Sequence, residues 1–363
     1  MIWLIVITFL VSSLPIGFLP SEADQRCFAA TQKFQNVHDR AKKQQTQKKK
    51  KVSQKSTRKT LAQKKKISSY KKTTKRKTAV RIKTAGKAPR RTLPVAQKTK
   101  GLHLASRSVL VFDEASDRVI LSKNEDQKKS IASITKLMTA MVVLDAGLPL
   151  DERITITEDD IDTVKHSSSR LAVGATLTRS ELLRLALMSS ENRAASALAR
   201  TYPGGTRAFV AAMNAKAKSL GMHNTRFVDS TGLRSSNVST ASDLVRMVQA
   251  AYTYPLIRIY STTDVCEVPV CGRILHYKNT NALVREGKWD INISKTGYIR
   301  EAGSCLVMRA KIEDRPMVIV LLDSQGKNSR IQDARAIESW IKSEKPGLVS
   351  GKNAKGTGPD AQG

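Results

Sequence analysis

Between Arg40 and Lys100 the chain has no aspartate or glutamate, while the same stretch holds 25 lysines and arginines. It is also poor in Leu, Val, Ile and Phe. So few apolar side chains cannot offset the entropy of ordering, which excludes a packed core there and predicts a disordered basic linker. Of the net charge of +32, only +7 is left for the rest of the 363 residues. Cysteine is scarce too, with Cys27, Cys266, Cys271 and Cys305 alone. None of their spacings fits a zinc site, and His38, His103, His166, His223 and His276 are scattered without ligand spacing. No metal and no other cofactor is expected. Beyond the N-terminus no apolar run approaches the length of a transmembrane helix. Tyr70 is the one aromatic residue of the basic stretch, and no base-reading motif accompanies it. The charge there suits salt-dependent attraction to polyanions, with no specific nucleic acid as partner.

What is present divides the chain into four. Residues 1–23 open with an apolar run, Met1 to Val11, and close on Ser21-Glu22-Ala23, a small-x-small site. This predicts a signal peptide cut after Ala23, although no Lys or Arg precedes the run. An uncleaved membrane anchor is the alternative. Residues 24–100 are the Lys-rich linker, 101–345 the folded unit, and 346–363 a Gly-rich tail. Cys266 and Cys271 lie five apart around Pro269. In an oxidising compartment a disulfide between them could close a small hairpin-like loop, and half-buried free thiols are the equal alternative.

Within the folded unit, Ser108–Phe112 and Arg118–Ser122 read as a hairpin joined by the polar turn Glu114–Asp117. A helix follows with Ser133 near its start and Leu137, Met138, Met141, Val142 and Leu144 on its buried side. Thr178-Arg-Ser-Glu181 fits a capping box before another helix, and Thr240-Ala-Ser-Asp243 resembles one with Asp in place of Glu. Thr206–Leu220 and Thr240–Tyr252 read as helices. The last third turns to strands at Ile291–Ile299, Cys305–Ile312 and Met317–Asp323, closed by a helix over Arg330–Lys342. Strands, helices, strands and a helix in that order predict an α/β (α+β) fold. Its antiparallel sheet is built from both chain ends, with a helical lobe inserted.

Three short motifs occur in order: Ser133-Ile-Thr-Lys136 opening a helix, Ser190-Glu-Asn192 just past a helix end, and Lys295-Thr296-Gly297 inside a strand. Each alone is common, and the ordered trio is not. A serine hydroxyl needs a neighbour to take its proton. Positions i and i+3 share a helix face, so Lys136 can reach Ser133. An exposed lysine is charged at pH 7 and is no base, but burial and a second cation lower its pKa, and Lys295 could be that cation. The Ser133 N–H and the Tyr298 N–H, just past Gly297, suit an oxyanion hole. Ser190 could relay a proton to the leaving amine, and Asn192 could bind the substrate amide. Lys295 and Thr296 could hold a carboxylate, with Gly297 permitting close approach. Glu191 and Arg193 read as surface charges.

These motifs and their flanks resemble the low-molecular-mass penicillin-binding proteins, specifically the D-alanyl-D-alanine endopeptidase type of serine DD-peptidase. The resemblance runs from about Leu104 to Ile341. It includes Ala132–Met141, Leu187–Ala195, Tyr202-Pro-Gly-Gly205, Met213–Gly221, Asn237–Thr240, Asn279-Thr-Asn281, and Lys295–Tyr298 followed by Ala302-Gly303. It implies a serine β-lactamase-like fold, with Ser133 acylated, Lys136 as base, and Ser190, Asn192 and Lys295 in the site. It also implies peptidoglycan peptides as substrate and β-lactam antibiotics as covalent inhibitors, while the signal segment predicts export and a periplasmic location. Carboxypeptidase relatives usually carry a further β domain and an anchor helix, so the short polar tail after Ser343 favours the endopeptidase branch. A β-lactamase is disfavoured because no Glu-x-x-Leu-Asn stretch occurs.

The resemblance does not account for the basic linker. Its charge fits an anionic envelope surface, lipid headgroup or wall. Deleting residues 40–100 should abolish salt-sensitive association with such a surface while leaving turnover of a small soluble substrate unchanged. Sedimentation with walls or membranes against salt is the measurement, and unaltered association would end the idea.

Overall fold

A computed structural model describes residues 102–270, 272–326 and 328–343. The segments expected at 1–23, 24–100 and 346–363, and also Cys271, lie outside these residues. In chain order, β1 (Ser106–Asp113) and β2 (Arg118–Lys123) form the anticipated hairpin, and β3 (Lys129–Ser130) leads into a 3-10 turn over Ala132–Ile134 and helix α1 (Thr135–Asp145). Then come β4 (Arg153–Thr155), β5 (Thr176–Thr178), α2 (Arg179–Met188), α3 (Asn192–Arg200) and α4 (Gly205–Ser219). Next are β6 (Val238–Ser239), α5 (Ala241–Tyr252), α6 (Pro255–Thr262), the hairpin β7 (Val265–Val270) and β8 (Arg273–Lys278), and α7 (Ala282–Glu286). The chain returns through β9 (Asp290–Ile299), β10 (Gly303–Ile312) and β11 (Arg315–Ser324) to α8 (Ser329–Ser343).

Local chemistry explains most of these boundaries. The Thr178 box is reciprocal: the Glu181 N–H donates to Thr178 Oγ1 and the Thr178 N–H to Glu181 Oε2. At Thr240 only half of it forms. Asp243 N–H donates to Thr240 Oγ1, but the Asp243 carboxylate turns to Asn224 N–H and Thr225 Oγ1. Helix α6, unforeseen, starts with Pro255 in its first turn, where a missing N–H costs nothing. The β7–β8 hairpin was also unforeseen. It is a two-stranded sheet whose strands are both edges, so Pro269 is tolerated inside it.

The main sheet has the order β2-β1-β11-β10-β9, antiparallel throughout. Pairing of Val109 with Leu321 and Val111 with Ile319 joins the two ends of the folded stretch. On one face Val109, Val111, Leu306, Met308, Ile319 and Leu321 pack with Ala334, Ile337 and Ile341 of α8. Val307, Val318, Val320 and Leu322 are also fully buried, so both faces of the central strands are covered, as their unbroken apolar runs require. The helical lobe has its own core, including Leu137, Met138, Met141, Leu182 and Leu185.

Of the suggested Cys266–Cys271 pair, Cys266 lies in β7, and Cys271 falls outside the described residues. Cys266 is buried, with Arg184 Nη1 at 3.5 Å from its sulfur.

Asp333 of α8 fastens the N-terminal strand. Its Oδ1 accepts from the Ala105 N–H (2.9 Å), and its Oδ2 accepts from the Ser106 N–H (2.8 Å) and hydroxyl. Asp333→Ala should therefore leave buried donors unmatched and lower stability by about 2–3 kcal/mol, read as an earlier denaturant midpoint with unchanged slope.

Candidate active site

Ser133 lies in the 3-10 turn, two residues before α1 begins, rather than in the α-helix itself. The turn still sets Lys136 one coil further on, and Lys136 Nζ stands 2.9 Å from Ser133 Oγ. The lysine is fully buried. Its amine also reaches Asn192 Oδ1 at 2.7 Å and the Thr231 carbonyl at 2.6 Å. Asn192 opens α3, and the residue two before it, Ser190, has φ of +62°, a left-handed conformation that costs a serine energy. That kink between α2 and α3 turns both Ser190 and Asn192 toward the cleft. From β9, Lys295 Nζ donates to Ser190 Oγ (3.0 Å) and to the Thr296 carbonyl (2.9 Å). The three motifs thus meet in one place.

Burial pushes the Lys136 ammonium down to about 7, against the pull of Asp229, Glu191 and Asp162, whose charges favour protonation. Lys295 is held well below its ordinary value, by burial first and then by Lys136 and Arg330. Arg330, from α8, donates to the Gly297 carbonyl at 2.9 Å, and its Nε has no partner.

Two glycines fit the backbone around Ser133. A Cβ on Gly297 would lie 2.9 Å from the Ile131 carbonyl oxygen and 3.0 Å from the Ser133 nitrogen. A Cβ on Gly232, at φ +84°, would lie 1.9 Å from the Ala132 carbonyl oxygen. Ala132 itself has φ of +46°. The Ser133 N–H is therefore packed against β9 just before Tyr298, and β9 is one of the two edge strands of the sheet. Tyr298 is 67% exposed at that edge.

Thr296 Oγ1 is 2.6 Å from Thr280 Oγ1. Not every expectation holds. Glu191 is not a surface charge: only 7% exposed, it accepts from Ser169 Oγ. Arg193 donates to the Leu171 carbonyl. Sequence reasoning missed Thr231, whose contribution is a backbone carbonyl, and Ser167, which accepts from Asn192 Nδ2 at 2.9 Å. It missed Arg330, which no motif contains. It also missed Asp229, although Asp229-Ser-Thr-Gly232 has the Asp and Gly content of a tight turn. Among the described residues, no three of His, Cys, Asp and Glu gather into a metal-binding cluster.

Residues 94–326 match the family model described as D-alanyl-D-alanine carboxypeptidase. The chain belongs to that family. The D-alanyl-D-alanine endopeptidase of Pseudomonas aeruginosa is 48% identical over 262 residues, 71% of this chain and 82% of that protein. The protein of the same name from Escherichia coli K12 is 48% identical over 244 residues, 67% of this chain and 79% of its own. The crystal structure of the Streptomyces K15 DD-transpeptidase superposes with TM-score 0.61 at 31% identity, covering 66% of this chain and 97% of that one. The antiparallel sheet with its inserted helical lobe is thus the fold of this D-alanyl-D-alanine carboxypeptidase family. For this family member, Gly232→Ala should drive the Ala132–Ser133 backbone from its position. Hydrolysis of a D-alanyl-D-alanine peptide should fall by roughly 100-fold. Gly147→Ala, also at positive φ but with nothing within 4 Å, should cost about 1 kcal/mol of stability and no activity.

Proposed function

We propose that this chain is a serine-type DD-peptidase, an endopeptidase that cleaves the D-alanyl–diaminopimelate cross-link of peptidoglycan through an acyl-enzyme on Ser133. The observation that carries the reading is the fully buried Lys136 amine, pushed down to about 7 and 2.9 Å from Ser133 Oγ. A neutral amine has two N–H bonds and one lone pair. Asn192 Oδ1 and the Thr231 carbonyl occupy the two N–H bonds, which leaves the lone pair for the Ser133 proton.

As Lys136 takes that proton, Ser133 Oγ bonds to the carbonyl carbon of the substrate, and charge moves to the carbonyl oxygen. The N–H groups of Ser133 and Tyr298 are the donors suited to receive it. Collapse breaks the C–N bond. The proton that Lys136 took passes by way of Ser190, whose hydroxyl Lys295 holds, to the leaving amine, which returns Lys136 to its neutral form. Water then attacks the acyl carbon with Lys136 again as base, which frees the D-alanyl carboxylate and restores the serine. A substrate carboxylate brings Lys295 and Arg330 the counter-charge they lack and restores the charged form of Lys295. Donor peptide backbone can add along the free edge of β9.

The endopeptidase reading draws on the relatives of that name at 48% identity, against 31% for the D-alanyl-D-alanine carboxypeptidase of Streptomyces sp. K15. Carboxypeptidase action is the second reading, favoured by the description of the family model. β-Lactams would acylate the same serine. Asp162, Glu191 and Asp229 are each held by hydrogen bonds, which argues against a free carboxylate base for fast penicillin hydrolysis. A periplasmic location follows from the apolar N-terminus and the substrate, with the basic segment 40–100 holding the enzyme to an anionic envelope surface. No helix among the described residues is long and apolar enough to cross a membrane.

Ser133→Ala should abolish covalent labelling by a fluorescent penicillin, and Lys136→Ala should slow it by roughly 10²–10⁴. The native labelling rate should rise with pH through about 7, because only the neutral amine accepts the proton. Purified cross-linked muropeptide dimers should be converted to monomers. Labelling that survives in Ser133→Ala would remove the nucleophile assignment. Loss of one D-alanine from a pentapeptide with dimers left intact would instead make the chain a carboxypeptidase.

A further inference from the structure

The three motifs explain what Lys136 touches but not what holds those partners in place. Following its hydrogen bonds outward answers this. On one path Lys136 donates to Asn192 Oδ1, Asn192 Nδ2 donates to Ser167 Oγ, and Ser167 Oγ donates to Asp162 Oδ2 at 2.6 Å. Asp162 also accepts from the N–H groups of Val164, Lys165 and Ser167, so it organises the whole turn. On the other path Lys136 donates to the Thr231 carbonyl. The Thr231 N–H and hydroxyl and the Gly232 N–H all donate to Asp229 Oδ1, at 2.7, 2.8 and 2.6 Å. The third carboxylate, Glu191, sits between Ser190 and Asn192 and holds Ser169 of the same loop that carries Ser167. Among the described residues none of the three stands in an ion pair, whereas nearby Asp160 is matched by Arg200.

We infer that Asp162, Glu191 and Asp229 are positioning residues for acylation: they fix the two acceptors of the Lys136 amine, and their combined negative charge offsets the two buried lysines. This rests on Lys136 being the base. The charged groups turned toward that amine are Asp162 from the loop before β5, Glu191 from the start of α3, and Asp229 from the loop after α4. Lys295 comes from β9, with Arg330 of α8 behind it. Arg234, on the Asp229 loop, is exposed to solvent. Asp229 is the largest of the three influences favouring the charged amine, then Glu191, then Asp162. The sign follows. Neutralising one carboxylate lowers the proton affinity of Lys136, so the amine becomes free at lower pH but is a weaker base once free.

The test is the pH–rate profile of labelling by a fluorescent penicillin, using the full chain with Asp229→Asn, Glu191→Gln and the double variant. Asn at 229 keeps a carbonyl oxygen for Thr231 and Gly232 while removing the charge. Each single variant should move the acid limb to lower pH by roughly half a unit or more. The double variant should move it further, and the high-pH plateau should fall several-fold. A uniform fall at every pH with the acid limb in place would overturn the inference and leave these acids a structural role only. Should Asp229→Asn fail to fold, Glu191→Gln carries the same test, since its carboxylate is held by Ser169 alone among side chains. Failure of the base assignment itself reads differently. Labelling that persists in Ser133→Ala or runs at the native rate in Lys136→Ala removes the underlying reaction, whereas an unmoved limb with both variants inactive removes this inference only.

Discussion

A primary amine buried without a carboxylate beside it is costly, and this molecule contains two of them within one cleft. Lys136 and Lys295 are both denied water, and neither is given a direct counter-ion; each is hydrogen-bonded to hydroxyls, an amide or carbonyls. Such an environment favours the uncharged state of an amine, and that state gives Lys136 a lone pair to offer. The rest of the site is arranged around this constraint. Asn192 and Thr231 use up the amine's hydrogens, and the turn at Ala132–Ile134 places Ser133 where the lone pair remains.

The scaffold contributes rigidity where the chemistry needs it. Ser133 is pressed between two glycine-bearing segments, the 229–234 loop and β9, neither of which tolerates an added methyl at its contact point. The two non-glycine residues at positive φ beside the reacting groups, Ala132 and Ser190, are held there by neighbours packed on both sides. Backbone strain at such positions persists only where the surrounding fold over-determines it. Here the fold does so by wedging the Ser133 turn between helical lobe and sheet.

Much of this was legible in the sequence. The spacing of Ser133 and Lys136, the helix end before Ser190, and the strand around Lys295-Thr296-Gly297 follow from side-chain pattern alone, and all three converge as their chemistry requires. The both-ends sheet followed from where the β-branched runs fall. What could not be read has a common cause. Thr231 acts through its backbone, which side-chain identity does not report. Glu191 looked like a solvated charge because a carboxylate usually is one, and only the loop carrying Ser169 reveals that it is enclosed. Arg330 lies on α8, 33 residues past Gly297, and reaches the site because the helix crosses back over the sheet. The β7–β8 hairpin was hidden by Pro269 and by the short, mixed run Val-Cys-Glu-Val-Pro-Val.

The pairing of Ser106 with Ser324 has a consequence in time as well as in space. The first described strand, β1, pairs with β2 at once but can find its other neighbour, β11, only after more than two hundred further residues have been made, and contacts so far apart in the chain form slowly. Lys295 and Arg330 likewise follow Ser133 by well over a hundred residues. A growing chain therefore holds Ser133 through more than 150 further residues of synthesis before the strand that completes the cleft is made. Hydrolytic capacity waits for the closing of the sheet.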